Sequence, residues 1–103
     1  VSLNRPLWEF VCDFRRKGGR AWVVSTGHAD NVSNAMRHLG IADGFDGIVT
    51  GDMVERSKPA PDCFLRVMEI EGVKPGETLI FEDSATGLEA ARRSGAPYIK
   101  VTL

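Results

Sequence analysis

The apolar positions follow two patterns along the chain: short continuous runs, which are typical of strands, and helical spacing. Short apolar runs at residues 21–24, 48–50, 78–81 and 97–101 predict β-strands, and the continuous run at 21–24 is typical of a strand buried on both faces. Helical spacing predicts a helix between Asn4 and Gly18, a second over residues 29–39, a third that Pro61 opens, and a fourth that reaches about Arg93.

The elements occur in the order α-β-α-β-α-β-α-β with short connections. Strands that alternate with helices predict an α/β protein with a parallel sheet covered by helices on both faces, which is a three-layer, Rossmann-like fold. In such sheets, ligands bind at the carboxyl ends of the strands. Polar segments follow three of the predicted strands at that edge: residues 25–27, 50–58 and 82–83.

These strand-end residues suit a bound phosphoryl group and a divalent cation. Glu82 and Asp83 are hard oxygen ligands of the kind that Mg²⁺ prefers. Lys58 is a point charge that neutralises phosphate oxygens or a nearby carboxylate. The remaining donors at this edge are the Ser25 hydroxyl and the backbone N–H groups of Thr26 and Gly27, which lie near a predicted helix start.

Each of these residues also has a simpler interpretation. Asp83 can be the N-cap of the helix that follows it, and Ser25 can end a strand or cap a helix. An isolated Lys58 would be a solvated loop lysine. The binding site is favoured only because these residues all lie at the predicted carboxyl edge of the sheet. From the residues alone, the binding site and the simpler interpretations both stay open.

Composition narrows the function classes. The 103 residues suggest one domain or less, and 13 Lys and Arg against 14 Asp and Glu give no argument for nucleic acid or an anionic membrane. No apolar run approaches the ~20 residues of a membrane span, and the first residues show no signal-peptide pattern. Cys12 and Cys63 lie outside any CxxC spacing, so we expect reduced thiols and a cytoplasmic location. A chain that starts at Val1 fits a processed protein or an excised piece of a longer one.

Several common signatures are missing from the sequence. It contains no GxGxxG, no GxxxxGKS or GxxxxGKT and no GxSxG. The sequence therefore gives no support for a dinucleotide-binding protein, a P-loop nucleotidase or the usual type of serine hydrolase.

Three ordered blocks resemble motifs II, III and IV of the haloacid dehalogenase (HAD) superfamily. They are VVST at residues 23–26, SKPAPD at 57–62 and FEDSATG at 81–87. The segment 40–52 between them is similar to the β-phosphoglucomutase and phosphatase-like branch. The resemblance covers residues 3–103, so residues 1–103 are interpreted as the carboxyl-terminal part of a HAD-like core domain.

The resemblance implies a role for each matching residue. Ser25 would hydrogen-bond the transferring phosphoryl group, and Lys58 would stabilise that group and the charge of the nucleophile. Asp83 would bind Mg²⁺, directly or through water, with Glu82 assisting. The reaction implied is hydrolysis or transfer of the phosphate ester of a small phosphorylated metabolite through an aspartyl-phosphate.

One departure from the family is serious. Its motif I, DxDxT or DxDxV, supplies the nucleophilic aspartate, and no such sequence occurs here; the cap domain is missing as well. The family's strand order, 5-4-1-2-3, would place the missing strand between the strands that end at Ser25 and at Asp83. We therefore expect the chain to be inactive as given and to be completed by an amino-terminal segment or a second chain. The alternative is a non-catalytic, HAD-derived module that binds phosphate and Mg²⁺ or a protein partner.

Overall fold

A computed structural model describes residues 4–102, so residues 1–3 and 103 of the predicted domain lie outside the described residues. Within residues 4–102, four α-helices alternate with four short strands, which confirms the predicted order of elements. The helices are α1 (Arg5–Arg16), α2 (Ala29–Leu39), α3 (Asp62–Glu71) and α4 (Ala85–Ser94), and the strands are β1 (Trp22–Val24), β2 (Gly47–Val49), β3 (Ile80–Glu82) and β4 (Tyr98–Lys100).

Local signals set the ends of the helices. Gly40 and Gly95 end α2 and α4 in the left-handed conformation, with φ of 72° and 86°, which a glycine adopts without strain. At the start of α4, the Ser84 hydroxyl oxygen accepts a hydrogen bond from the Gly87 N–H at 3.0 Å. Ser84 is therefore the N-cap, and the interpretation of Asp83 as the N-cap is wrong.

The strands form two parallel pairs. β1 pairs with β2, matching Val23 to Ile48, and β3 pairs with β4, matching Phe81 to Ile99. Within residues 4–102, no backbone ladder joins β1 to β3. The single sheet expected from the alternation is thus divided into two, at the position where the resemblance places the family's central strand.

Helices cover both faces of the strand pairs, as the three-layer prediction requires. Ile80 belongs to the buried core, together with residues of α3 and α4. Successive residues of a strand face opposite sides. Phe81 accordingly lies on the other face, where its ring centroid is 5.9 Å from that of Phe10 in α1. On the same helix, the Trp8 ring centroid lies 5.6 Å from that of Phe45, which precedes β2, so α1 packs against β3 and against the turn before β2. The core comprises Val49, Cys63, Phe64, Met68, Ile80, Ala90, Ala91 and Ala96.

Burial is shallower than the hydrophobic pattern predicted. All three residues of β1 are only partly buried and all three of β4 are exposed, so the expectation that residues 21–24 are buried on both faces is wrong. In α1, Phe10 and Phe14 are 50% and 45% exposed. The division of the sheet explains the shallow burial of β1, because that strand has a neighbour on one side only.

Two expectations from composition can be compared with the structure. Cys12 and Cys63 are both free thiols, as predicted. None of the helices among residues 4–102 has the length and apolar content that a bilayer span needs.

An ion-pair network lies at the amino ends of β1 and β2, whereas the predicted site lies at the carboxyl ends of the strands. The Asp46 carboxylate accepts two hydrogen bonds from Arg15, at 2.9 and 3.1 Å, and one from the Ala21 N–H at 2.7 Å. Arg20 lies 3.2 Å from the same carboxylate and 2.9 Å from Glu71 at the end of α3. The hydrogen bonds from Arg15 lower the pKa of Asp46 below its ordinary value, against the opposing effect of burial. The network therefore connects α1, the segments that precede β1 and β2, and the end of α3.

Candidate functional site

Lys58 joins the carboxyl ends of β1 and β3. Its Nζ lies 2.6 Å from Glu82 Oε2 and 3.5 Å from the carbonyl oxygen of Val24. The ammonium also lies over the Phe64 ring, 5.1 Å from its centroid. The side chain is only 6% exposed. The segments that end in Ser25 and in Asp83 are thus brought to one cation, as expected for the carboxyl edge of a parallel sheet.

Glu82 is buried, and protein groups engage both of its carboxylate oxygens. Oε2 contacts Lys58, while Oε1 accepts hydrogen bonds from the Asp83 and Ser84 N–H groups at 3.1 and 3.4 Å. Burial alone would raise the pKa of Glu82, but the hydrogen bond and charge of Lys58, with the backbone N–H groups, together lower it. Glu82 therefore holds Lys58 in place, and its assistance to Mg²⁺ stays a prediction.

Asp83 has a different environment from its neighbour. Its side chain is exposed, and within residues 4–102 its carboxylate accepts no hydrogen bond. No group of three or more His, Cys, Asp and Glu side chains in this part of the chain is arranged to hold a metal ion. One carboxylate still fits Mg²⁺, since this ion keeps several waters and commonly binds through one or two carboxylates and substrate phosphate oxygens.

The loop of residues 25–28 after β1 offers the predicted anion donors. The Gly27 N–H donates to Ser25 Oγ at 3.2 Å, and the Ser25 N–H donates to the Val49 carbonyl at 3.0 Å. Because Oγ accepts from Gly27, the hydroxyl hydrogen is left for donation to an anion. The Gly27 N–H is already engaged within the loop, whereas Thr26 is exposed. The Ser25 hydroxyl and the Thr26 N–H are therefore the more available donors.

Two further residues support the site, Phe64 and Gly87. Phe64 lies beside the Lys58 ammonium, and Gly87 lets the Glu82 side chain pass against α4. A Cβ at Gly87 would lie 2.0 Å from Glu82 Cδ, closer than any real contact. A glycine inside a helical pattern, soon after the acidic pair, is the signal that indicates such a close approach. Nothing in the sequence indicated the Phe64 contact.

A surface groove of about 470 Å³ lies elsewhere, beside α2 and β2. It contains none of the predicted site residues. Its lining is Ser33, Met36, Arg37, Gly40, Asp43 and Ile48. The candidate site is therefore the chemically distinct edge at Lys58 and not this groove.

Comparisons with known proteins identify the family that the chain resembles. The haloacid dehalogenase-like hydrolase family matches residues 7–101. The chain is 39% identical over 99 residues to the fructose-1-phosphate phosphatase YqaB of Escherichia coli, covering 95% of this chain and 52% of that protein. It is 42% identical over 95 residues to a phosphorylated carbohydrates phosphatase of Thermotoga maritima, covering 92% and 43%.

Solved structures show the same fold. CbbY from Rhodobacter sphaeroides in complex with phosphate superposes with a TM-score of 0.83 at 33% identity, covering 89% of this chain and 42% of that one. A structure described as a beta-phosphoglucomutase from Thermotoga maritima gives a TM-score of 0.80 at 32% identity, covering 89% and 41%. This chain spans about half the length of the curated relatives it matches.

Proposed function

Because the chain belongs to the haloacid dehalogenase-like hydrolase family, we propose that it forms the phosphate-binding half of an enzyme. That enzyme hydrolyses, or transfers the phosphoryl group of, a small phosphorylated metabolite. The observation that carries the proposal is the contact of Lys58 with both Glu82 and the Val24 carbonyl, which brings a buried cation to two strand ends. YqaB is named a fructose-1-phosphate phosphatase and the Thermotoga relative a phosphorylated carbohydrates phosphatase, so sugar phosphates are the first class to test.

Lys58 and Ser25 bind the phosphoryl group in this proposal. In phosphoryl transfer, negative charge spreads over the three equatorial oxygens, and fixed donors that face them lower the barrier. An ammonium that is 6% exposed acts on that charge through little solvent, so its attraction is stronger than that of a surface lysine. The Ser25 hydroxyl, held by the Gly27 N–H, donates to a second oxygen.

Asp83 is the residue of this chain that would hold Mg²⁺. When bound, the ion neutralises charge on the phosphate oxygens. Glu82 assists by keeping Lys58 and the adjacent backbone in place, since its two oxygens are already engaged.

The nucleophile in this proposal is a carboxylate outside the present sequence. Its oxygen attacks phosphorus, the bond from phosphorus to the substrate oxygen breaks, and the leaving oxygen takes a proton from a general acid that likewise lies outside the present sequence. Water then hydrolyses the aspartyl-phosphate, or an acceptor hydroxyl takes the phosphoryl group. The strand that carries the nucleophile would lie between β1 and β3, whose facing edges are unpaired within residues 4–102. An amino-terminal segment or a second chain would supply it.

The test compares the 103-residue chain with the same chain extended by the sequence that precedes Val1 in its gene. We expect the short chain, with Mg²⁺, to leave an aryl phosphate such as p-nitrophenyl phosphate intact. We expect the extended chain, if it carries DxDxT or DxDxV, to hydrolyse the aryl phosphate and a panel of sugar phosphates. Lys58→Ala in the extended chain is expected to abolish turnover. Turnover by the short chain would overturn the external nucleophile, and full activity of Lys58→Ala would overturn the proposed site.

A further inference from the structure

The loop of residues 25–28 is supported from the neighbouring segment of residues 50–52, which follows β2. We propose that Asp52 is a positioning residue for this loop. In this proposal its carboxylate takes the place of an N-cap side chain at the start of α2, although Asp52 belongs to a different segment of the chain. The consequence for phosphate binding rests on the proposed function. The support itself is a property of this chain alone.

Helix α2 starts without a cap from its own sequence. His28 occupies the N-cap position and makes no side-chain hydrogen bond to the first turn. The first N–H groups of a helix need an acceptor, which Ser, Thr, Asp or Asn at the N-cap commonly provides. The Asp52 carboxylate lies 3.8 Å from His28 Nδ1, at this end of the helix. A carboxylate there also favours the positive end of the helix dipole.

Thr50 fixes the orientation of Asp52. The side chain of Thr50 is fully buried, and its hydroxyl donates to Asp52. This hydrogen bond is the main cause that lowers the pKa of Asp52, with smaller contributions from backbone N–H groups, including that of Ala29, and from His28. The carboxylate is therefore hydrogen-bonded to buried Thr50 and lies beside His28, the residue before α2.

The backbone of the same segment contacts the loop directly. The Gly51 N–H donates to the Gly27 carbonyl at 3.2 Å. A Cβ at Gly51 would lie 2.5 Å from the Thr26 carbonyl oxygen, so only glycine permits this approach. Gly27 in turn donates to Ser25 Oγ at 3.2 Å. A continuous series of contacts thus leads from Thr50 in the core to the Ser25 hydroxyl.

Asp52 acts on the loop and not on the substrate. A carboxylate repels a phosphate, and the contacts described here direct Asp52 to Thr50 and to the start of α2. Removing it should loosen residues 25–29 and reduce the fraction of molecules in which Ser25 is correctly placed for an anion. Asn at this position keeps an acceptor oxygen and should preserve the loop.

The first measurement is amide hydrogen exchange by NMR on the 103-residue chain. We expect Asp52→Ala to accelerate exchange at Gly27, Ala29 and Gly51 by about fivefold or more, the effect of losing a cap, while core amides of α4 are unchanged. Asp52→Asn should stay near the parent. Asp30→Ala is the matched control, since Asp30 is an exposed acid in the first turn of the same helix. Thr50→Val tests the same contact from the other partner and should reproduce Asp52→Ala locally.

The second measurement is the affinity for inorganic phosphate in the presence of Mg²⁺. We expect Asp52→Ala to weaken phosphate binding by about fivefold, because the affinity falls with the fraction of molecules in which the loop is correctly placed. Both Asp52→Asn and Asp30→Ala should leave the affinity unchanged. Unchanged exchange at Gly27 and Gly51 in Asp52→Ala and Thr50→Val would overturn the inference. Equal effects of Asp30→Ala and Asp52→Ala would also overturn it, because they would show that any negative charge near the start of α2 has the same effect. If the parent chain binds no phosphate, the proposed phosphate site fails, while the exchange data still decide the role of Asp52.

Discussion

The Lys58 ammonium and the Glu82 carboxylate form an ion pair of 2.6 Å in which both side chains are less than one-tenth exposed. Removing one partner of such a buried pair destabilises a protein more than replacing both partners by apolar residues, because the remaining charge is left uncompensated in the interior. Here the pair also sets the position of the cation that we propose to bind phosphate. In that proposal, stability and phosphate binding depend on the same contact.

Replacing Glu82 by Gln should destabilise the chain by about 3 kcal/mol, since the Lys58 charge would stay buried without its partner. The measurement is the free energy of unfolding in urea. Glu89→Gln is the control, because the Glu89 pairs with Arg92 and Arg93 lie at the surface, where such pairs contribute little. The double variant Lys58→Met with Glu82→Leu should recover much of the loss. Equal stability of Glu82→Gln and the parent would contradict the burial of the pair.

Gly87→Ala should be unfavourable although it lies in a helix, where Ala is ordinarily better than Gly by about 1 kcal/mol. The new Cβ would meet Glu82 Cδ at 2.0 Å and displace the carboxylate from Lys58. We expect a loss of about 1–3 kcal/mol in the free energy of unfolding, as overpacking usually causes. Gly76→Ala is the matched control, because nothing lies within 4 Å of its added Cβ. A gain in stability for Gly87→Ala would show that the close approach is absent in solution.

The Asp46 network predicts a pH dependence of stability. Arg15 lowers the pKa of Asp46 in the folded state, so the folded chain binds its proton less readily than the unfolded chain does. Its contribution is complete above the ordinary Asp value of about 3.9 and is lost as pH falls through the lower folded-state value. Urea unfolding from pH 6 to pH 2 should show the free energy falling below about pH 4. Asp46→Asn should flatten that part of the curve, and an unchanged slope would refute the assignment.

The divided sheet predicts a weak isolated chain. The facing edges of β1 and β3 are unpaired within the described residues, and free strand edges favour association with another chain. We expect a free energy of unfolding near or below the usual lower limit of about 5 kcal/mol. We also expect a sedimentation coefficient that rises with protein concentration. A monomer at all concentrations, with one cooperative urea transition of normal slope, would count against this expectation.

The order of elements, and the edge at which the candidate site residues lie, were predictable because both depend on local information. Helical spacing and the glycine after it predict α2 over residues 29–39, which is the observed helix Ala29–Leu39. Polar residues directly after apolar runs placed Ser25 and Asp83 at strand ends, and parallel topology brings such ends to one edge. The family could likewise be identified from three short blocks, because their residues and order are written in the chain.

Which groups contact one another was decided only by the tertiary structure. The sequence contains Glu82, Lys58 and Asp83, but only the direction of each side chain shows that Glu82 pairs with Lys58 and that Asp83 stays exposed. The same holds for Ser84 as the cap of α4 and for Asp52 beside His28, a contact across 24 residues of chain. These relationships depend on how strands and helices pack against one another, and packing is set by long-range contacts that local periodicity does not encode.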